Sequence, residues 1–353
     1  MPREKWLIDP AELDEFQRDI RELGINESYA IKGCAGSGKT ILALYRANDI
    51  RIEALAENSE ASFTFVVYTK ALMGFIRSGV IELNIPIRQV INYDKWDGSE
   101  VDYLIVDEAQ DFTQEEVDIL NDASLKSVMF YGDTKQQIYN KALKKAEVLS
   151  IEQIGEHLGI KEKELVKNYR LPKSVASFAA HLINDNDLEN KCVKINGNKP
   201  RLNKFDSWHK ELDFIIKEIR ERNYTDVGIL VPFNLVRKAK RNNGHRNVES
   251  IKAYFESAGF RHEFKIRDDD SDNFELDFDS DNPKVLTFHS SKGLQFETVF
   301  IPFFDYPYHD NWFDTNYRNP LYVALTRTYR NLYITHSDNL SPFVKNVPAT
   351  KYE

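Results

Sequence analysis

Cysteine is scarce in this chain: its 353 residues hold only Cys34 and Cys192, which excludes a disulfide framework and points to a reducing compartment. Long apolar runs are missing too. No stretch approaches the ~20 consecutive apolar residues that a bilayer-spanning helix needs, and the N-terminus, with Glu4 and Asp9 early, has no apolar signal core. The expectation is a soluble, cytoplasmic protein without a membrane partner. What is present excludes global disorder: 42% hydrophobic and 12% aromatic residues fill one large core or two ordinary ones, and usual domain sizes favour two. The net charge of -9 argues at first against a polyanionic partner. Asp268 to Asp281, however, holds eight acidic residues and no basic one, so the remaining surface is near neutral and free to carry basic patches.

The chain is organised around Gly33-Cys34-Ala35-Gly36-Ser37-Gly38-Lys39-Thr40, which follows the short segment Ser28 to Lys32 and precedes a helix-forming run from Ile41 to Glu57. This is a P-loop. A glycine-rich turn between strand and helix wraps phosphate oxygens with backbone N–H groups, and the helix N-terminus turns its positive dipole end to the same anion. Gly33, Ala35, Gly36, Ser37 and Gly38 form the cradle, Lys39 reaches the β- and γ-phosphates of ATP, and the Thr40 hydroxyl ligates Mg²⁺.

Upstream, Asp9-Pro10-Ala11-Glu12 reads as a helix start with a capping box, and Leu13, Phe16, Ile20 and Leu23 form its apolar stripe up to Gly24. Gln17, beside the stripe, reads on its own as a surface or packing residue. Downstream, Phe63 to Tyr68 is a buried-type strand with Thr69 and Lys70 at its C-terminal end, where open α/β sheets take ligands. Gln89 to Tyr93 leads through Trp96 into Val101 to Val106, which ends in Asp107-Glu108-Ala109-Gln110-Asp111. A strand tip with paired carboxylates behind a P-loop supplies a metal partner, Asp107, and a base, Glu108. Ser127 to Tyr131 ends in the polar cluster Gly132 to Gln137, which reads either as a γ-phosphate sensor or as a plain loop. Leu143 to Gly159 is helical, and a new set of strands begins near Lys163. The alternation then repeats: a helix from Pro172, one over Trp208 to Arg222, the strand Val227 to Val231, a helix over Val248 to Ala258, and strands near Lys284 to Phe288, Thr298 to Ile301 and Leu332 to Thr335. Arg237, Lys238, Lys240, Arg241 and Arg246 form a basic cluster that reads as a solvated turn or a phosphate contact.

Taken together these blocks resemble superfamily 1 helicases of the UvrD, Rep and PcrA kind, from Gln17 to about Thr335. The resemblance implies that Gln17 reads adenine, that the DEAQD run from Asp107 to Asp111 is the Walker B block, and that Gln136, in Gly132 to Tyr139, touches the γ-phosphate. It also implies that Tyr169 of Asn168-Tyr169-Arg170 stacks on adenine while Arg170 holds the γ-phosphate. Thr287 to Phe296, TFHSSKGLQF, resembles the block that meets both nucleic acid and nucleotide, and Leu321 to Thr328, LYVALTRT, the last block, with Arg327 as arginine finger. The implied fold is α/β: two RecA-like domains, 1–160 and 161–353, with parallel sheets flanked by helices and the ATP site at their interface. The implied activity is that of a P-loop ATPase, a helicase or translocase on single-stranded DNA rather than RNA, with the 3′ to 5′ polarity of the family. Thr69, Lys70, Tyr93, Trp96, Thr287 and His289 are the positions expected near the strand.

The departures from that pattern are informative. The family's two long helical insertions, after Thr69 and after the Val227 strand, are missing. Lys141 stands where a base-stacking tryptophan is usual, Asn92 to Trp96 replaces a TFHSW-like block, and Gln295 replaces the ribose-reading glutamate. These losses keep a second reading open: an ATP-dependent switch subunit that partners a nuclease or another effector, as in phage defence, with little unwinding. The acidic stretch 268–281 is either a solvated loop or a shield that repels phosphates over a Debye length of ~8 Å.

Overall fold

The computed structural model describes residues 6–57, 62–138, 146–183, 185–195, 197–232, 247–265, 276–305 and 315–353. It divides into two compact units, Lys5–Asn168 and Tyr169–Glu353. Each is built on one all-parallel sheet of six strands.

In the first unit Asp9 caps a 3-10 turn, Pro10–Glu12, through the expected capping box. The chain then turns extended at Leu13, and Asp14 opens a second box with Gln17 at the head of α1 (Glu15–Arg21). The single helix expected from Asp9 is therefore two pieces, because two capping signals follow in quick succession and each restarts the backbone. Phe16, expected inward, is exposed. There follow β1 (Tyr29–Gly33), α2 (Lys39–Ala56), β2 (Phe63–Val67), α3 (Lys70–Glu82), β3 (Val90–Asn92), β4 (Val101–Val106), α4 (Gln114–Asp122), β5 (Ser124–Gly132), α5 (Ile151–Leu158) and β6 (Lys161–Leu165). The strand order is β3-β2-β4-β5-β1-β6. Alternate strand residues serve two cores, as a period of two requires. Ile31, Phe65, Ile105 and Met129 join one with Leu42, Leu44 and Leu72. Ala30, Val66, Leu104, Val106 and Phe130 join the other with Val117, Leu120, Ile151 and Ile154.

The division was expected at 160, but β6 pairs with β1 along its whole length. The first sheet thus keeps it, and the first unit runs on to Asn168.

The second unit contains α6 (Lys173–Ile183), α7 (Leu188–Lys191), β7 (Arg201–Lys204), α8 (Trp208–Arg222), β8 (Val227–Val231), α9 (Val248–Ser257), β9 (Glu263–Phe264), β10 (Lys284–Thr287), β11 (Phe296–Ile301), α10 (Thr315–Leu325) and β12 (Thr328–His336). Its sheet order is β7-β12-β11-β8-β10-β9. Among the described residues neither cysteine is in a disulfide, and no helix is long and apolar enough to cross a membrane.

One buried carboxylate ties α8 to the tips of two strands. Glu211 Oε2 accepts from the Phe303 N–H at 2.8 Å and the Thr335 hydroxyl at 2.5 Å, with the Ser337 hydroxyl also drawn to the carboxyl. Burial pushes this carboxyl up to about 7 from an ordinary 4.5, against the pull of those donors. The folded state therefore holds its proton more tightly than the unfolded chain, so this contribution to stability is complete below pH ~4.5 and is lost as pH rises towards ~7. Glu211→Gln should remove about 3 kcal/mol of that pH dependence. Denaturant titrations of both proteins at pH 5 and pH 8 measure it, and parallel curves would exclude Glu211 as the source.

The basic cluster 237–246, the Lys141 position and residues 268–275 of the acidic stretch lie outside the described residues. The rest of that stretch is anchored. Lys284, 1% exposed, donates to Glu263 Oε1 at 3.1 Å, to Ser280 O and Oγ, and to Asn282 O at 2.7 Å, while the Asp277 N–H donates to Glu263 Oε2. Lys284 opens β10 and Thr287 closes it, so residues 277–282 sit at the opposite end of that strand from Thr287. Three strand rises separate the two ends by about 10 Å, more than a Debye length of ~8 Å. That weakens the shielding role for Asp277, Asp279 and Asp281.

Candidate nucleotide and nucleic-acid site

The turn after β1 is shaped by its glycines. Gly38 is left-handed at φ 91° and caps α2, and a Cβ there would lie 2.6 Å from Gln17 Nε2. Gln17 is 2% exposed, accepts from the Asp14 N–H and donates to Ser37 O at 3.0 Å, so the helix residue that read as bland holds the loop from outside. Lys39 Nζ donates to Gly33 O at 2.8 Å and Cys34 O at 3.1 Å and is folded back into its own loop. The Ser37 hydroxyl is buried with no hydrogen-bond partner among the described residues, at 2.5 Å from where a Gly33 Cβ would stand. An unsatisfied buried donor costs about 1–3 kcal/mol. A glycine-lined cradle with a lysine and an idle hydroxyl fits an anion, and ATP phosphates are of that kind.

The carboxylates stand where the strand order puts them. β5 lies between β1 and β4, so the tip of β5 falls between the P-loop and the Asp107–Glu108 pair. The Thr40 hydroxyl donates to Asp107 Oδ2 at 2.6 Å, and the Glu108 N–H to Asp107 Oδ1 at 2.9 Å. Asp107 is fully buried, and burial together with the neighbouring Glu108 charge holds its carboxyl above the usual range. Glu108 adopts φ 58°, a left-handed conformation that costs on the order of 1 kcal/mol for a side-chain-bearing residue and recurs at functional sites. Glu108 Oε2 accepts from Gln110 Nε2 at 2.7 Å; Gln110 Oε1 accepts from the Asp133 N–H at 2.9 Å; and Gln136 Nε2 donates to Asp133 Oδ2 at 2.7 Å. One continuous relay thus joins Glu108 to Gln136. Gln110 was missed among the expected site residues. A wholly polar side chain in a run of acids gave no signal of its own, and only the adjacency of β4 and β5 reveals it.

Other polar residues brace this edge. Glu152 is half-buried, but Lys32 at 2.7 Å and the Thr134 hydroxyl at 2.6 Å outweigh the effect of burial and hold its carboxyl down at about 2.

Of the positions expected near a strand, Thr69 caps α3 by accepting from the Leu72 N–H, and the Lys70 side chain lies outside the described residues. Tyr93 meets Phe112 edge-on at 4.7 Å and Trp96 at 6.3 Å. Both Tyr93 and Trp96 pack against the core beneath them, and burial pushes the Tyr93 hydroxyl up to about 12. The structure therefore presents them as half-buried, not as an open platform.

In the second unit the turn after β10 is closed by its own side chains. Thr287 Oγ1 accepts from the Ser290 N–H at 3.0 Å, and His289 follows, half-buried. Leu294 O accepts from Arg170 Nη1 at 3.1 Å and from Arg327 Nη1 at 3.3 Å. Two guanidinium groups therefore meet beside Gln295. Arg327 is 1% exposed and also donates to Val323 O at 2.8 Å and to the Thr326 hydroxyl. Tyr169 is half-buried.

A parallel-sheet unit carrying this loop and relay, followed by a second such unit, is the architecture of a helicase-type protein. Residues 26–297 match the Schlafen group 3, DNA/RNA helicase domain family, and the chain belongs to that family. Residues 284–335 match the UvrD-like helicase C-terminal domain, in keeping with the resemblance to superfamily 1 helicases. No curated protein matches the chain. Among solved structures it is similar to the C-terminal domain of a possible DNA helicase from Lactobacillus plantarum WCFS1, at 16% identity over 52% of this chain and 96% of that one, with a TM-score of 0.37. It is also similar to Arterivirus nonstructural protein 10 (helicase), at 15% identity over 94% of this chain and 63% of that one, with a TM-score of 0.46. The complex of that Arterivirus helicase with DNA matches at 15% identity over 94% and 65% of the two chains, with a TM-score of 0.45.

Proposed function

We propose that the protein is an ATP-hydrolysing motor that acts on single-stranded nucleic acid, DNA in the first instance. The observation that carries the reading is the relay from Glu108 through Gln110 and Asp133 to Gln136, beside a P-loop whose Ser37 hydroxyl has no partner among the described residues and whose Thr40 already meets Asp107. The loop N–H groups, Lys39 and Ser37 bind the ATP phosphates. Asp107 and Thr40, which meet at 2.6 Å, would hold Mg²⁺. Bound there, the ion would neutralise charge on the β- and γ-phosphates. Glu108 takes the proton of the attacking water, and Gln110 orients that carboxylate. Gln136 reads the γ-phosphate through the same relay. Gln17, Tyr169 and Gln295 bind the nucleoside, and Arg170 and Arg327 act on the transferring phosphoryl group.

On this reading Thr69, Lys70, Tyr93, Trp96, Thr287 and His289 serve the nucleic-acid strand, and the cytoplasm is the working compartment. ATP turnover measured alone, then with single-stranded DNA, single-stranded RNA and duplex, tests the proposal. Stimulation by a single strand of tenfold or so is expected of a motor. Turnover indifferent to all three would favour the switch subunit with a protein partner.

A further inference from the structure

We propose that Trp208 and His209 form a stacking site for an unpaired nucleobase of a single strand, a site that rests on the motor reading above and that no sequence block announces. Both residues stand at the head of α8. The chain leaves β7 at Lys204, the Phe205 N–H donates to His336 O at the end of β12, and Ser207 caps the helix. This places them at the C-terminal edge of the second sheet, the edge where open parallel sheets take ligands and where Thr287 and His289 follow β10.

The two rings lie face to face, with centroids 3.7 Å apart and planes at 29°. Neighbours one residue apart do not face each other on a helix, so the stack is set by the rotation of the side chains themselves and not by helical spacing. Tyr254 of α9 meets Trp208 at 5.8 Å and His209 at 5.5 Å, and is itself held by donating to Asp213 Oδ1 at 2.6 Å. Phe303, just past β11, meets Trp208 edge-on at 6.3 Å. Trp208 is half-buried and His209 is exposed. The stack is thus backed on its inner side and ends in an open ring.

The mounting is rigid. Glu211, in the same helical turn, fixes α8 to the Phe303 N–H and the Thr335 hydroxyl, and Phe303 has φ 61°, a left-handed backbone that a bulky residue keeps only where its surroundings hold it. Lys210 is exposed next to the stack, where its ammonium pairs with Asp213 Oδ2 at 3.3 Å. Only β8 separates β11, which Phe303 follows, from β10, so the tips of those two strands are on the order of 10 Å apart. A base laid on His209 extends the Trp208–His209 pair by one ring, and aromatic stacking accepts every base because each has a π-face.

Fluorescence anisotropy with labelled oligothymidylate and oligouridylate tests the site in the full chain, alongside thermal melts that report folding. His209→Ala should weaken binding about tenfold, the size of one base–aromatic stack, while His209→Phe, which keeps an aromatic face, should bind as wild type. A loss in both oligonucleotides marks a base contact common to DNA and RNA, and a loss in one identifies which strand the site serves. Equal affinity of wild type and His209→Ala for both strands would overturn the stacking site and leave the motor reading standing. Equal loss in both variants would also overturn it, since an aromatic face would then not be what matters. If the wild-type chain binds neither oligonucleotide, the single-strand reading fails, and this site with it.

Discussion

Lys39→Ala is expected to abolish ATP hydrolysis together with nucleotide binding, whereas Glu108→Gln should leave ATP bound but uncleaved. The two defects differ because the two residues act on different quantities. On the proposed reading Lys39 supplies charge to the phosphates; its ammonium is held within the loop by Gly33 O and Cys34 O, so removing it empties the cradle of its cation. Glu108→Gln changes no volume and keeps an oxygen that can accept from Gln110 Nε2, so the relay to Gln136 survives. What disappears is the base. General-base catalysis is worth about 10² to 10⁴ in rate, and turnover should fall by that factor. Steady-state hydrolysis and binding of labelled ATP, measured on both variants, separate the outcomes. Wild-type turnover in Glu108→Gln would make the Walker B assignment untenable.

Arg170→Ala and Arg327→Ala should each lower turnover far more than ATP affinity, because charge on the transferring phosphoryl group develops chiefly in the transition state. An arginine in that role is worth about 10³ to 10⁵ in P-loop enzymes. The structure adds a complication for Arg327. It is fully buried, and although Leu294 O keeps Arg170 and Val323 O keeps the Thr326 hydroxyl, alanine removes a large packed side chain and leaves a cavity that lowers stability. Arg170, half-buried, is the cleaner probe. Arg327→Lys keeps the charge but loses the planar fork, and it should retain the fold while losing most of the turnover. Turnover number and nucleotide affinity from the same preparations decide the matter. Proportionate losses in both would make these arginines ground-state clamps.

The long buried elements were legible in the sequence because their signal is local. Val101–Val106, Val227–Val231 and Trp208–Arg222 run as read, since a continuous apolar run or a helical stripe is repeated over enough residues to fix its own identity. The glycine-rich turn from Gly33 to Thr40 and the Asp107–Glu108 tip also lie where the sequence put them, between β1 and α2 and at the end of β4. Edge strands were harder to place. β6, Lys161–Leu165, is exposed at every residue but the last, so its own pattern said little about which sheet it belonged to. Pairing with β1 decided that, and with it the division at 168.

What sequence alone determined is therefore the fold class, the existence of two parallel-sheet units and the glycine-rich turn between β1 and α2. Tertiary structure alone decided which side chains meet. Gln110 joins Glu108 to Asp133 only because β4 and β5 are neighbours, and Arg170 and Arg327 share Leu294 O although 156 positions part the two arginines in the chain. Glu211 gains its raised proton affinity only from being buried under the ends of β11 and β12. The physical reason is range: propensity, capping and loop chemistry act within a few residues, whereas strand order, burial and the hydrogen bonds they impose depend on contacts between segments far apart in the chain.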